Sequence, residues 1–139
     1  MTDAEELRRI ADELEIRDLI ARAAQVTDFG ELSDYSALWT EDVAWELPDA
    51  PVHGSAALVV AAETRRATGS TGPGSNTKHV ITTLAVRVDG TDTASSTCYW
   101  IFFGDTTTTP VALVMGQYDD TLHREPGGWK IARRQITLG

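Results

Sequence analysis

The chain has 139 residues and carries 21 acidic against 12 basic side chains, a net charge of −9 at neutral pH. Such a field repels polyphosphate, and no basic run interleaved with aromatics offsets it, which excludes a nucleic-acid partner. Cys98 is the only cysteine, so an internal disulfide and a cysteine-based zinc site are excluded as well.

A hydrophobic content of 42% with 24% charged residues is that of a globular chain with one core, expected over residues 1–139. The opening Met-Thr-Asp-Ala-Glu-Glu lacks the basic start and apolar stretch of a signal peptide. The longest apolar runs, Ala56–Ala62 and Val111–Met115, are too short to span a bilayer. No membrane partner is expected, and a cytoplasmic location follows by default.

Leu7, Ile10, Leu14, Arg17–Ile20 and Ala24 recur at helical spacing and predict an amphipathic helix over Asp3–Thr27, with a break near Ala11–Glu13 left open. Gly30 stops it. A shorter helix is expected over Glu31–Leu38, then a strand over Asp42–Leu47 that ends at Pro48. Asp49–Gly54 reads as a loop, with Ser55 as N-cap of an alanine-rich helix over Ala56–Ala67. Thr68–Asn76 has no hydrophobic pattern and reads as a loop, the segment best suited to mobility.

The second half changes character. Thr77–Val88, Ala94–Phe103, Val111–His123 and Trp129–Thr137 are rich in β-branched and aromatic residues. Asp89-Gly90, the Gly104–Pro110 loop and Pro126-Gly127-Gly128 separate them, which predicts an antiparallel meander. Helices first and strands afterwards imply an α+β domain: a curved, mostly antiparallel sheet wrapped around helices, a cone with an internal pocket. Strict alternation puts Val80, Leu84, Val86 and Val88 on one face of the first long strand, with Ile81 and Ala85 on the other. In the last strand it groups Trp129, Ile131 and Arg133 against Lys130, Ala132, Arg134 and Ile136. Which group faces a cavity, and whether a bulge shifts the pattern, stays open. Apolar residues on both faces point to a homo-oligomer.

Four segments in order carry a resemblance: Ile16–Ala23 leading into Val26-Thr27-Asp28; Leu38-Trp39-Thr40-Glu41-Asp42-Val43-Ala44-Trp45; Thr77-Lys78-His79-Val80; and Gly116-Gln117-Tyr118-Asp119-Asp120 with Gly128-Trp129-Lys130-Ile131. Together they resemble the SnoaL-like branch of the NTF2-like superfamily over nearly the whole chain, and within it scytalone dehydratase and hexachlorocyclohexane dehydrochlorinase. The resemblance implies the cone fold, a dimer or trimer, and an Asp after the first helix facing a His on the first meander strand, here Asp28 and His79. The dehydrochlorinase pattern adds an Arg past the Gly-Trp-Lys strand start, matched by Arg134, and a Lys before the Asp where this chain has Ala23. The dehydratase pattern has a Tyr before the Asp, here Thr27, and a second His where this chain offers Cys98 or Tyr99.

An Asp–His pair in a dry pocket is a usable base. Imidazole titrates close to neutrality, and a carboxylate on one ring nitrogen fixes the tautomer and stabilises the imidazolium. Arg134 is the candidate for neutralising a leaving group or enolate oxygen. Tyr99 and Tyr118 are candidate hydroxyl donors to a substrate, while Trp39, Trp45 and Trp100 read as core or pocket wall. His53 and His123 lack ligand spacing, so neither a metal nor a cofactor is expected. The expected ligand is a small apolar or aromatic molecule, cyclic or polyketide-like. Three readings remain: a cofactor-independent lyase or isomerase using the dyad, a binding or interaction module on the same cone, and a cyclase working through an Asp alone.

Overall fold

Thr2 opens the first helix with a capping box: its Oγ1 accepts from Glu5 N at 3.1 Å, and Glu5 Oε2 accepts from Thr2 N at 2.7 Å. In the computed structural model, which describes Met1–Gly139, this helix α1 (Asp3–Asp28) runs unbroken for 26 residues. Its apolar seam is buried only from Asp12 onward, through Ile16, Leu19, Ile20, Ala23 and Val26. Leu7 and Leu14, which the periodicity assigns to the same seam, are 67% and 63% exposed: Leu7 precedes Asp12, the first buried residue of the helix, and Leu14 lies outside the buried seam between Asp12 and Ile16. Gly30 ends the helix by close approach rather than by a left-handed turn. A Cβ there would stand 2.7 Å from Val26 Cα.

The expected second helix divides into α2 (Leu32–Tyr35) and a 3₁₀ turn (Ser36–Leu38), and β1 (Trp39–Glu46) begins earlier than its alternation suggests. The following loop contributes a short strand, β2 (Val52–His53), antiparallel to β1. Gly54, not Ser55, caps α3 (Ser55–Ala67), without a side-chain bond. The chain turns there at φ 87°, a conformation open to glycine, and this sets the cap one residue early.

The meander follows as β3 (Lys78–Val88), β4 (Thr93–Gly104), β5 (Val111–Glu125) and β6 (Gly128–Leu138). All its pairings are antiparallel, whereas β1 joins β6 in parallel, giving an open mixed sheet of order β2-β1-β6-β5-β4-β3. Side chains of α1, α3 and the concave face form the core, with Ile16, Val43, Leu58, Leu122 and Ile131 fully buried. Each such side chain contributes about 1.5–3 kcal/mol.

Bulges bend the sheet and decide which side chains face inward. In β3 the pairing slips between Thr82 and Ala85, and Thr83 takes φ 54°. Ile81 therefore shares the inner face with Leu84, Val86 and Val88, while Val80 points out, correcting the grouping that strict alternation gives. In β6 the slip falls opposite Thr121/Leu122, leaving Ala132 as the extra residue. Trp129, Ile131, Arg134 and Ile136 then all turn inward, and Arg133 faces out.

Charged groups tie α1 to the sheet. Asp12 pairs with Arg124 at 2.5 Å and accepts from Trp129 Nε1 at 3.2 Å, while Glu15 accepts from Trp129 N at 2.7 Å. At the other end of α1, Arg66 Nη2 donates to Val26 O at 2.7 Å and Gly30 O at 2.8 Å. That guanidinium supplies the positive charge that the last turn of α1, free of basic residues, lacks.

Candidate functional site

Asp28 is the final residue of α1, where a carboxylate opposes the helix dipole, so it needs specific partners. His79, second residue of β3, supplies both. Its backbone N–H donates to Asp28 Oδ2 at 2.9 Å, and its Nδ1 lies 2.7 Å from Asp28 Oδ1. A carboxylate accepts only, so Nδ1 carries a proton, and in the neutral ring the lone pair lies on Nε2. Two atoms of one residue held by two oxygens of the other fix the ring against rotation about the chain.

His79 lines a cavity of about 380 Å³ between α1, α3 and the concave sheet. Asp28 is not part of the lining and stands behind His79, so it reaches the cavity only through the imidazole. The walls are mostly apolar and aromatic: Tyr35, Trp39, Trp45, Trp100, Phe102 and Tyr118 among them. The His79 ring packs 4.6 Å from Phe102, and Trp100 stacks on Tyr118 at 5.4 Å. Gly116 permits that stack, since a Cβ there would stand 2.5 Å from Trp100 Cζ2.

The β6 bulge brings Arg134 to the same wall. Its Nε and Nη2 donate to Asp120 Oδ1 and Oδ2, both at 2.9 Å, and its guanidinium carbon lies 3.9 Å above the Tyr118 ring. Burial works against its charge, but the paired Asp120 overcomes this and raises the guanidinium pKa further above its ordinary value. Burial also pushes the Tyr118 hydroxyl up to about 12 and the Cys98 thiol up to about 11. Both stay protonated at neutral pH, so Tyr118 can donate but not act as a base.

Among the other sequence candidates, Trp39 and Trp45 line the cavity. Tyr99 does not: it is 40% exposed on the convex face, because alternation along β4 turns Cys98 and Trp100 inward. Ala23 and Thr27 both line the cavity, but the Thr27 hydroxyl is committed to Ala23 O at 2.8 Å. Three features escaped the sequence reading. Asp120, within a quoted motif, had no role until the register set it opposite Arg134. Arg65, Ser70 and Thr71 line the cavity from the end of α3 and the loop after it. The Nε1 groups of Trp39 and Trp100 are buried without a partner, two indole donors on residues of the cavity wall. Spacing alone carries no signal for any of these.

The sequence profile of the SnoaL-like domain matches residues 8–135. No curated protein matches the chain in sequence. Among solved structures, an NTF2-like protein with a cystatin-like fold from Novosphingobium aromaticivorans is 31% identical, with a TM-score of 0.84 over 97% of this chain and 86% of that one. A protein of unknown function from Mycobacterium tuberculosis is 26% identical, with a TM-score of 0.80 over 93% of this chain and 77% of that one. A candidate scytalone dehydratase from Novosphingobium aromaticivorans is 19% identical and shares the fold, with a TM-score of 0.79 over 95% of this chain and 87% of that one.

Proposed function

The chain belongs to the SnoaL-like domain family of NTF2-like proteins, and on that footing we propose that it is a dehydratase-type lyase or isomerase acting on a small cyclic or polyketide-like molecule. The observation that carries the reading is the 2.7 Å contact between Asp28 Oδ1 and His79 Nδ1 at the wall of an aromatic cavity. In this reading Nε2 of His79 takes a proton from a substrate carbon, and the C–H electron pair becomes the new C=C bond. The adjacent C–OH bond breaks, the imidazolium returns its proton to the departing hydroxide, and water leaves. Asp28 stabilises the imidazolium throughout, and Tyr118 or the Arg134 guanidinium faces the charge that develops on a substrate oxygen. General acid–base help of this kind is worth on the order of 10²–10⁴ in rate.

The cyclase reading, with an Asp working alone, is less well supported. Asp28 does not line the cavity, and both its oxygens are taken up by His79. The test is turnover of hydroxylated ring compounds by the native chain, His79→Ala and Asp28→Asn. Native turnover in either variant removes the dyad. An inert native chain that still binds such compounds favours the binding-module reading.

The same proposal includes self-association through the convex face. Val80, Ile101 and Met115 are cross-strand neighbours there, and Tyr99 lies on the same face. No helix is long and apolar enough to cross a membrane.

A further inference from the structure

We infer that the cavity takes a ligand bearing a single negative charge, an aromatic or alicyclic acid, and that Arg65 holds its carboxylate. The inference shares with the proposed function only the premise that the cavity holds a small molecule.

The argument is electrostatic. The chain as a whole carries −9, yet its 19 cavity-lining residues include two arginines and a histidine and neither Asp nor Glu. Two of these three groups have a carboxylate behind them: Asp120 pairs with Arg134 and Asp28 with His79. Arg65 alone has none within 4.0 Å, although 21 acidic residues are available to the fold. Its neighbours are the Trp45 ring, 5.7 Å away, and Tyr35. Burial raises the Tyr35 hydroxyl pKa despite the nearby arginines, so Tyr35 stays neutral and cancels nothing.

The position of Arg65 in the last turn of α3 suits the helix dipole and explains why a cation is tolerated there. It does not explain why that cation lines an apolar cavity with no counter-ion. A half-buried charge beside low-dielectric walls attracts an opposite charge more strongly than a solvated one does. The Ser70 and Thr71 hydroxyls line the same space and can donate to a ligand oxygen, and the largely aromatic wall suits a flat ligand.

Isothermal titration calorimetry with 2-naphthoate and its neutral isostere 2-naphthamide tests this on the native chain, Arg65→Gln and His79→Ala. The acid should bind the native chain roughly tenfold or more tighter than the amide. Arg65→Gln should erase that preference by weakening the acid alone, and His79→Ala should keep it. Equal binding of the two probes, an unchanged ratio in Arg65→Gln, or no binding of the acid overturns the inference. Loss of the acid preference with the dyad still active leaves the proposed chemistry standing, and the converse result separates the two in the other direction.

Discussion

Replacing Asp28 by Asn should preserve the fold and invert the proton on His79. The carboxylate accepts two hydrogen bonds, at 2.9 Å from the backbone and 2.7 Å from Nδ1. Bonds to a charged group are worth about 1.5–3 kcal/mol each and neutral ones about 0.5–1.5, so two weakened bonds cost about 2–3 kcal/mol. Removing a negative charge from the C-terminal end of α1 returns about 0.3–1 kcal/mol. The net loss is therefore about 1–3 kcal/mol, within what an ordinary domain tolerates. The introduced amide keeps its oxygen on the His79 backbone N–H and turns its NH₂ toward Nδ1, which must then accept. The ring proton moves to Nε2, and the cavity meets a donor where it had a lone pair. Proton-detected ¹⁵N correlation of the imidazole should report the Nδ1–H tautomer in the native chain and Nε2–H in Asp28→Asn, with turnover down by about 10²–10⁴. An unchanged tautomer in the variant, with the fold intact, refutes the account of how Asp28 acts.

Asp120→Ala leaves Arg134 buried without its partner and should cost about 3–5 kcal/mol in urea unfolding, whereas pairing Asp120→Leu with Arg134→Met should recover most of it. If the single variant is as stable as the native chain, the pair has been misjudged. At alkaline pH the folded Tyr118 keeps its proton to about 12 while the unfolded one loses it near 10.0, and Cys98 shifts in the same sense from 9.0 to about 11. Both raised pKa values mean stability that is full below the unfolded values and is lost as pH rises through the folded ones. Tyr118 accounts for roughly 2–3 kcal/mol of that loss. Tyr118→Phe should flatten the decline in urea midpoint between about pH 10 and about pH 12, and an equally steep decline in the variant would count against it. Sedimentation velocity should find the native chain as a dimer or trimer that Val80→Asp and Met115→Asp dissociate; a native monomer removes the convex-face proposal.

Composition and periodicity were enough for the long elements and the α+β order, because amphipathic spacing is local and each strand carries its own β-branched run. They also bounded the four meander strands to within a few residues. They failed at Leu7 and Leu14, which keep helical spacing but stay exposed outside the buried seam of α1. Capping at Gly54 escaped them as well, since it depends on a turn that β1 and β2 jointly impose.

The site divides in the same way. Asp28 and His79 could be named from the chain because each sits in a recognisable segment, but 51 residues separate them, and only packing α1 against β3 brings them within 2.7 Å. The face of Arg134 was undecidable from alternation: one extra residue, Ala132, turns it from one side of the sheet to the other, and a bulge is a property of the register between two strands. Arg65 carried no signal at all, since a cation in the last turn of a helix is ordinary in sequence. What sets it apart is the lack of any carboxylate around it, which only the assembled cavity makes visible. The sequence by itself determined which groups exist and which elements carry them. Tertiary structure decided which of their charges are answered and which are left facing a ligand, because compensation acts between residues that are distant in the chain.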